Sequence, residues 1–381
     1  MRMLHTSDWH IGRQFHNVSL LEDQEYVLDQ IIDIVRDKDV DVLLLAGDIY
    51  DRSVPSAEAV TLLDEVIHRI SQELSTPMIM MAGNHDSHDR LAFGARQFAQ
   101  SGVHITGPLT AKLAPLILSD EYGEVAFFSL PYADPATVRH VFKNEEVHSH
   151  AAAMQVLTDA VRQQLQPDQR SVVLSHCFVH GGKASDSERP LSVGGAETVP
   201  AALFADFDYV ALGHLHGPQK SGKQQIRYAG SILKYSFSEA KHKKSVTLID
   251  MDAEGAIEIE EIPLKPKRDM RILEGEMDKI LAAAKKDKRR EDYVLVRLTD
   301  TGAILDASGK IRNVYPNVLH LEKRRQHSNE DQQANNKPKL ERGPMPMFRD
   351  FYKEVTGERL PRASAKLVVD LLDRIRHQED A

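Results

Sequence analysis

Sulfur and long apolar runs are both scarce in this chain. A single cysteine, Cys177, stands among 381 residues, so no intrachain disulfide can form, and the usage is that of a reducing compartment. No stretch approaches the roughly 20 continuous apolar residues of a membrane span. The opening Met1-Arg2-Met3-Leu4-His5 carries no cleavable secretory segment. The expectation is therefore a cytoplasmic protein with no membrane partner. Cys177 follows His176 and invites a reading as ligand or nucleophile, but a small buried residue beside a site is the better account.

The composition is otherwise that of an ordinary folded protein, with a hydrophobic fraction of 41% and a charged fraction of 28%. The length allows one large domain and one or two smaller ones. A net charge of -9 conceals an asymmetry: residues 1–264 hold 22 Lys+Arg against 37 Asp+Glu, whereas residues 265–342 hold 19 against 13. An acidic body with a basic appendage can tolerate a polyanionic substrate. Taken alone, the run Lys285-Lys286-Asp287-Lys288-Arg289-Arg290 reads more simply as a solvated face or turn.

Hydrophobic periodicity divides the chain. Met1 to Ser7 and Asp41 to Ala46 read as buried strands around a helix over Leu20 to Lys38, a βαβ unit. A second unit has a helix over Ala57 to Glu73 and a strand over Met78 to Ala82. A helix over His150 to Leu165 then leads to a strand ending at His176, and Tyr209 to Leu212 is another short strand. Strand signals follow at Ile226 to Tyr228, Ser245 to Met251 and Ala256 to Ile262. The pattern predicts an α/β fold, a layered β-sandwich flanked by helices, over residues 1–265. Residues 266–325 read as a small α+β cap, with a helix over Glu274 to Lys285, a strand over Tyr293 to Leu298, a helix from Leu305 and a strand over Val318 to Glu322. Residues 326–343 lack apolar periodicity and read as a flexible linker. Residues 344–381 read as two short helices, with stripes at Phe348, Phe351, Tyr352 and Val355 and at Ala365, Val368, Leu371, Leu372 and Ile375. A tethered helix pair without its own core is expected to dock on a partner protein.

Five polar motifs follow in order: Asp8-Trp9-His10, Gly47-Asp48-Ile49-Tyr50-Asp51, Gly83-Asn84-His85-Asp86, Ser175-His176 and Gly213-His214-Leu215-His216. Any one is weak; the ordered set is not. The ligands fall where strands end and loops begin. A phosphodiester hydrolase must neutralise charge, supply a nucleophile near neutral pH and protonate the leaving oxygen. Two divalent ions about 3.5 to 4 Å apart can do the first two. Asp48 is the natural bridging carboxylate, Asp8 and His10 can converge on one ion, Asn84 adds a carbonyl oxygen, and His176, His214 and His216 add imidazoles. Carboxylate, amide and imidazole without thiolate suits Mn²⁺ or a similar ion rather than structural zinc. The catalytic candidates are His85, which need not be a ligand, and Asp86, near enough in sequence to orient it. His5, His16, His88, His104 and His180 are expected at the surface or behind the site, Trp9 and Tyr50 in packing, and Asp51 either behind the ligands or at the substrate.

At these motifs the chain resembles the calcineurin-like metallophosphoesterase superfamily. His5-Thr6-Ser7-Asp8-Trp9-His10, Ala46-Gly47-Asp48, Ala82-Gly83-Asn84-His85-Asp86 and Ala211-Leu212-Gly213-His214-Leu215-His216 narrow the resemblance to its SbcD-type nucleases. The resemblance implies that Asp8, His10, Asp48 and His216 bind one Mn²⁺ and that Asp48, Asn84, His176 and His214 bind the other, with Mg²⁺ or another divalent ion possible and His85 catalytic. It implies 3′ to 5′ exonuclease action on double-stranded DNA, endonuclease action on single strands and hairpins, and roles in DNA repair, recombination and replication. It also implies an ATP-hydrolysing SbcC partner whose coiled coil the terminal helices grip, in a complex of two SbcC and two paired nuclease subunits. Archaeal and eukaryotic relatives carry histidine at the position of Asp51, where it assists exonuclease geometry, so the resemblance does not carry that role over to Asp51. The same catalytic residues would serve a phosphodiesterase for small nucleotides or a phosphoprotein phosphatase. The basic segment and the helical tail argue against both.

Overall fold

The computed structural model describes residues 1–191, 198–302 and 304–323, and of the remainder residues 348, 349, 352, 360, 361, 364, 365, 367 and 368. The chain divides into two units, Met1–Lys323 and Arg324–Ala381.

Alternate side chains of a strand point to opposite faces, so a strand that is apolar throughout must be covered on both. Val42–Leu45 is such a strand: Val42 and Leu44 enter one core while Leu43 and Leu45 enter another. It lies in a six-stranded sheet ordered Ile257–Pro263, Ser245–Met251, Arg2–Thr6, Val42–Leu45, Met78–Met81, Val103–Thr106. The last four strands are parallel and the first two return antiparallel. A second six-stranded sheet is ordered Gln219–Ser221, Lys223–Tyr228, Tyr209–Gly213, Arg170–His176, Gly123–Leu130, Leu116–Asp120. Its four central strands are parallel and both edges antiparallel.

The two sheets pack face to face through Met3, Val42, Leu44 and Ile79 on one side and Phe127, Val172, Leu174 and Tyr209 on the other. Helices cover the outer faces. Leu21–Asp37 and Ala57–His68 bury Val27, Leu28, Ile31, Leu63 and Val66 on the first sheet. His150–Arg162 buries Ala153, Met154, Leu157 and Val161 on the second. This is the layered sandwich flanked by helices that the periodicity predicts. The second βα helix starts where Ser56 Oγ accepts from Ala59 N at 3.3 Å, an N-cap. It ends as a five-residue π turn over Arg69–Glu73 rather than continuing as α-helix.

Three strands of the two sheets, Val103–Thr106, Leu116–Asp120 and Gly123–Leu130, carry no clear periodic signal. Leu116–Asp120 is an edge strand only half buried along its length, so its composition is not constrained to alternate cleanly.

The small unit after Pro263 has a three-stranded sheet, Met270–Gly275, Tyr293–Leu298 and Val318–Lys323, all parallel. Helices Met277–Ala284 and Ala307–Arg312 make the crossovers and close a core around Ile280, Val294, Val296, Ile311 and Tyr315. The helix expected from Glu274 begins later, because Met270–Gly275 pairs as a strand with Tyr293–Leu298. Only that long-range pairing distinguishes the segment from the helix that follows. Arg268 joins the unit to the first helix through Glu22 and Asp23, and the Tyr293 hydroxyl donates to Asp23 at 2.8 Å. The basic run at 285–290 forms a turn in which Asp287 pairs with Arg271 at 2.9 Å.

In the second unit, residues Phe348, Arg349, Tyr352, Ser364, Ala365, Leu367 and Val368 are helical. The linker expected at 326–343 and most of the helix pair expected at 344–381 lie outside the described residues. Among the described residues no helix is long and apolar enough to cross a membrane.

Candidate metal centre

All five motifs sit at the carboxyl ends of parallel strands: three on the first sheet and two on the second. Within each sheet, backbone sets neighbouring motifs side by side. Asp8 N donates to Gly47 O at 3.1 Å and His10 N to Asp48 O at 2.9 Å, which sets the first two motifs side by side. Across the sandwich Gly213 pairs with His176, so the last two motifs share an edge.

Glycine permits the close approach of the two edges. A Cβ on Gly47 would collide with the His176 ring, one on Gly83 with the Asp48 carboxylate, and one on Gly213 with the Ala46 carbonyl. Four of the candidate ligands themselves take left-handed backbone, with φ of 51° at Asp8, 47° at His10, 50° at Asp48 and 104° at His214. Such conformations cost of order 1–3 kcal/mol each and persist where surrounding structure holds them, commonly at functional sites.

The side chains converge. Ligand atoms of Asp8, His10 and His216 lie within 4.8 Å of one another, as do those of Asp8, Asp48 and His176 and those of His10, Asp51 and His85. Asp48 Oδ2 is 3.6 Å from His10 Nε2 and 3.5 Å from His176 Nε2. The Asn84 carbonyl oxygen lies 2.9 Å from His176 Nε2 and 3.3 Å from His214 Nδ1. All seven expected ligands thus reach one cluster, and all but Asn84 are buried. Three are also oriented from behind: Ser7 Oγ and His214 N donate to Asp8, His85 N donates to Asp48 Oδ1 at 2.9 Å, and His176 Nδ1 donates to Ala46 O at 3.0 Å.

The electrostatics call for a cation. Burial and the nearby Asp48 charge push Asp8 up to about 6 against the opposing pull of His176 and His216. Burial would raise Asp48 too, but His176, His10 and His85 hold it well below the usual carboxylate range. His176 rises to about 9 because Asp48 outweighs its burial. Burial lowers His10 and His214 strongly, leaving them neutral. His10 Nε2 faces His216 Nε2 at 3.1 Å, and buried His10 Nδ1 has no hydrogen-bond partner. A divalent ion ligated by oxygen and imidazole would neutralise the buried carboxylates and suit the clustered oxygen and imidazole donors, so the residues fit the metal that the motifs imply.

His85 and Asp86 separate in the structure. The His85 ring donates from Nδ1 to the Asp51 backbone carbonyl at 2.8 Å and places Nε2 4.0 Å from Asp48 Oδ2. The expected support from Asp86 is corrected accordingly: Asp86 accepts from the backbone amides of Gly83, Ile49 and Tyr50 at 2.9, 3.1 and 2.9 Å. It ties the second motif loop to the third, and burial and the Asp48 charge push it up to about 7. Asp51 stands behind His10, with Oδ1 at 3.7 Å from His10 Nδ1 and at 2.7 Å from Arg13.

The remaining expectations resolve simply. Trp9 is buried, its indole donating to Thr6, and Tyr50 packs half-buried against the core of the first sheet. His5 is a core residue bonded to the Tyr209 hydroxyl. Cys177 is buried, and burial pushes its thiol up to about 12, the opposite of a reactive thiolate. Sequence reasoning missed Ser187, Glu188, Glu239 and Lys244, which gather around His216. None lies in a motif; the sole hint is the charged stretch Glu239 to Lys244.

Several solved structures are similar to this chain. A dimetal phosphatase from Danio rerio matches at 12% identity and a TM-score of 0.43, over 69% of this chain and 96% of that one. TT1561 of Thermus thermophilus matches at 13% identity and 0.38, over 68% and 98%. GAP50, the anchor in the inner membrane complex of Plasmodium, matches at 11% and 0.42, over 86% and 98%. A family model described as the type 5 capsule protein repressor C-terminal domain, SbcD_C, matches residues 266–356. Residues 1–218, which carry all five motifs of the metal cluster, match the calcineurin-like phosphoesterase model, and the chain belongs to that family of metal-dependent phosphoester hydrolases.

Proposed function

We propose that the chain is a two-metal DNA nuclease of the SbcD type. Two observations meet in this reading: a seven-residue ligand cluster at the edge of the sandwich, and the SbcD_C match over a segment where basic residues outnumber acidic ones. The second carries the choice of DNA over a small phosphoester, since a polyanion rewards an accumulation of Lys and Arg beside the acidic body.

In this reading Asp8, His10, Asp48 and His216 hold one divalent ion, and Asp48, Asn84, His176 and His214 hold the other. Mn²⁺ suits the mixed donors, with Mg²⁺ as a substitute. Bound there, the pair would neutralise the phosphodiester and activate the attacking nucleophile. Asp48 would be shared by both ions, and its carboxylate is already oriented: Oδ1 accepts from His85 N while Oδ2 faces the His10 and His176 imidazoles. His85 handles the proton. Its Nδ1–H is committed to the Asp51 carbonyl, so exchange with substrate takes place at Nε2, which donates to the departing oxygen when the ring is doubly protonated. Asp86 acts one step back, keeping the loops of Asp48 and Asn84 in register through its three amide contacts. The 3′ to 5′ exonuclease and hairpin endonuclease activities, the pairing of two nuclease subunits and the SbcC ATPase gripped by residues 344–381 belong to the same proposal.

The test is Mn²⁺-dependent cleavage of blunt and hairpin duplexes with and without SbcC and ATP, beside a cyclic nucleotide and a phosphopeptide. Duplex cleavage stimulated by SbcC and ATP is expected. Turnover of only the small substrates would overturn the nuclease reading and leave the phosphoesterase family untouched.

A further inference from the structure

His216 has two ring nitrogens, and only the form with a proton on Nδ1 leaves Nε2 free to bind a cation. Its surroundings decide which form exists. Nδ1 lies 2.7 Å from Ser187 Oγ, and that hydroxyl also bonds Glu239 Oε1. Glu239 is fully buried, and its other oxygen receives Lys244 Nζ at 2.5 Å. Lys244 is itself buried, with its three N–H groups spent on Glu239, His216 O at 2.7 Å and Ser231 Oγ at 2.7 Å. Ser231 Oγ can accept because its own proton goes to Leu233 O at 2.7 Å.

Counting donors closes the chain of assignments. A buried carboxylate facing an ammonium is ionised and offers only acceptors. Ser187 Oγ also lies 2.9 Å from Ser185 Oγ, whose own proton goes to Glu188 Oε2 at 2.6 Å; Ser187 therefore gives its single proton to an acceptor on that side, Glu239 being the nearer, and toward His216 it accepts. That forces the proton of His216 onto Nδ1 and turns the Nε2 lone pair toward His10 and Asp8. The same elements clamp the His216 backbone: its carbonyl receives Lys244, and its N–H donates to Glu188 Oε1 at 2.8 Å.

We propose that Ser187, with Glu239 and Lys244 behind it, is a positioning residue that locks His216 in its cation-binding tautomer and so sets the affinity of the Asp8–His10–His216 site. The inference rests on the two-metal reading above. It predicts an asymmetry, because no member of this network touches Asn84, His176 or His214 among the described contacts. Partners behind a ligating histidine are typically worth ten- to a hundredfold in metal affinity.

The experiment is calorimetric titration of the metal-stripped full chain with Mn²⁺, joined to ¹⁵N shifts of the His216 ring. The wild-type chain takes up two ions, with His216 protonated at Nδ1 before metal is added. Ser187→Ala weakens one site ten- to a hundredfold, leaves the other unchanged and loses the single-tautomer signature. Ser187→Thr, which keeps the hydroxyl, restores both. Glu239→Gln, which preserves size, weakens the same site, and it decides the matter if Ser187→Ala does not fold. Two wild-type sites with both affinities unchanged in Ser187→Ala would overturn the inference alone, as would equal weakening of both sites or failure of threonine to rescue. A wild-type chain that binds no Mn²⁺ would overturn the metal reading and this inference with it.

Discussion

Gly213→Ala adds one methyl group at the seam between the two sheets. Gly213 ends a strand of the second sheet beside His176, and a Cβ there would overlap the Ala46 carbonyl of the first sheet and stand 2.8 Å from His176 Nδ1. The obstacle is backbone, which cannot rotate away. Overpacking of this kind costs ~1–3 kcal/mol, and breaking the His176 to Ala46 bond adds ~1 kcal/mol. Alanine in place of glycine within a strand returns ~0.5–1 kcal/mol. The net is destabilisation by about 2 kcal/mol, or roughly 3 °C in thermal midpoint for a unit of this size. Because the displaced group is a candidate ligand, Mn²⁺ affinity should fall about tenfold or more as well. Thermal denaturation and calorimetric Mn²⁺ titration read the two effects separately. Gly302→Ala is the control, since a Cβ there meets nothing, and surface changes of this sort stay within ~0.5 kcal/mol. A Gly213→Ala chain with wild-type stability and metal affinity would refute the argument that close approach of the sheets at this glycine builds the cluster.

Other consequences are open to direct measurement. His85→Gln should retain two-ion binding while cleavage falls ~10²- to 10⁴-fold, so parallel losses of metal and activity would reassign His85 as a ligand. Asp120 pairs with Arg170 at 2.5 Å, which holds its carboxyl well below the usual range. A depressed carboxyl stabilises the fold above its unfolded value of 3.8 and loses that contribution as pH falls further. Asp120→Asn should therefore cost ~1–3 kcal/mol at pH 7 and flatten the acid limb of stability below pH 4, and an unchanged limb in denaturant melts would exclude the pair as its source. Chelation should lower the thermal midpoint of the metal-loaded chain, with ~2.7 kcal/mol lost when free ion had stood at a hundred times its dissociation constant; a midpoint indifferent to chelator would argue against ligation in the folded state. Deleting residues 344–381 should leave Mn²⁺ binding intact and abolish co-purification with SbcC, whereas undiminished co-purification would move the docking element elsewhere.

Much of the first unit is legible from periodicity because its central strands are covered on both faces. Val42–Leu45 and Met78–Met81 are uniformly apolar and bounded by polar motifs, so both their extent and their direction can be read. Leu116–Asp120 and Met270–Gly275 resist such reading. The first is half exposed, and the second is told from the following helix only by pairing with Tyr293–Leu298. The ligand motifs are legible for a different reason: strand ends and glycines leave a recurring local pattern. The residues that orient those ligands leave none, since Ser187 and Glu239 lie 29 and 23 positions from His216.

What the sequence by itself determined was the inventory: which side chains can bind a cation, in what order, and at the ends of which strands. These are local properties, set by residue type and by the two-residue repeat of a strand. Tertiary structure alone decided how the inventory is used. It replaced Asp86 with the Asp51 carbonyl as the partner of His85, made Asp86 a tie between loops, and brought a buried Ser–Glu–Lys network behind His216. The reason is geometric. A hydrogen bond acts within about 3 Å, and only the packing of the two sheets brings residues so far apart in the chain to that distance.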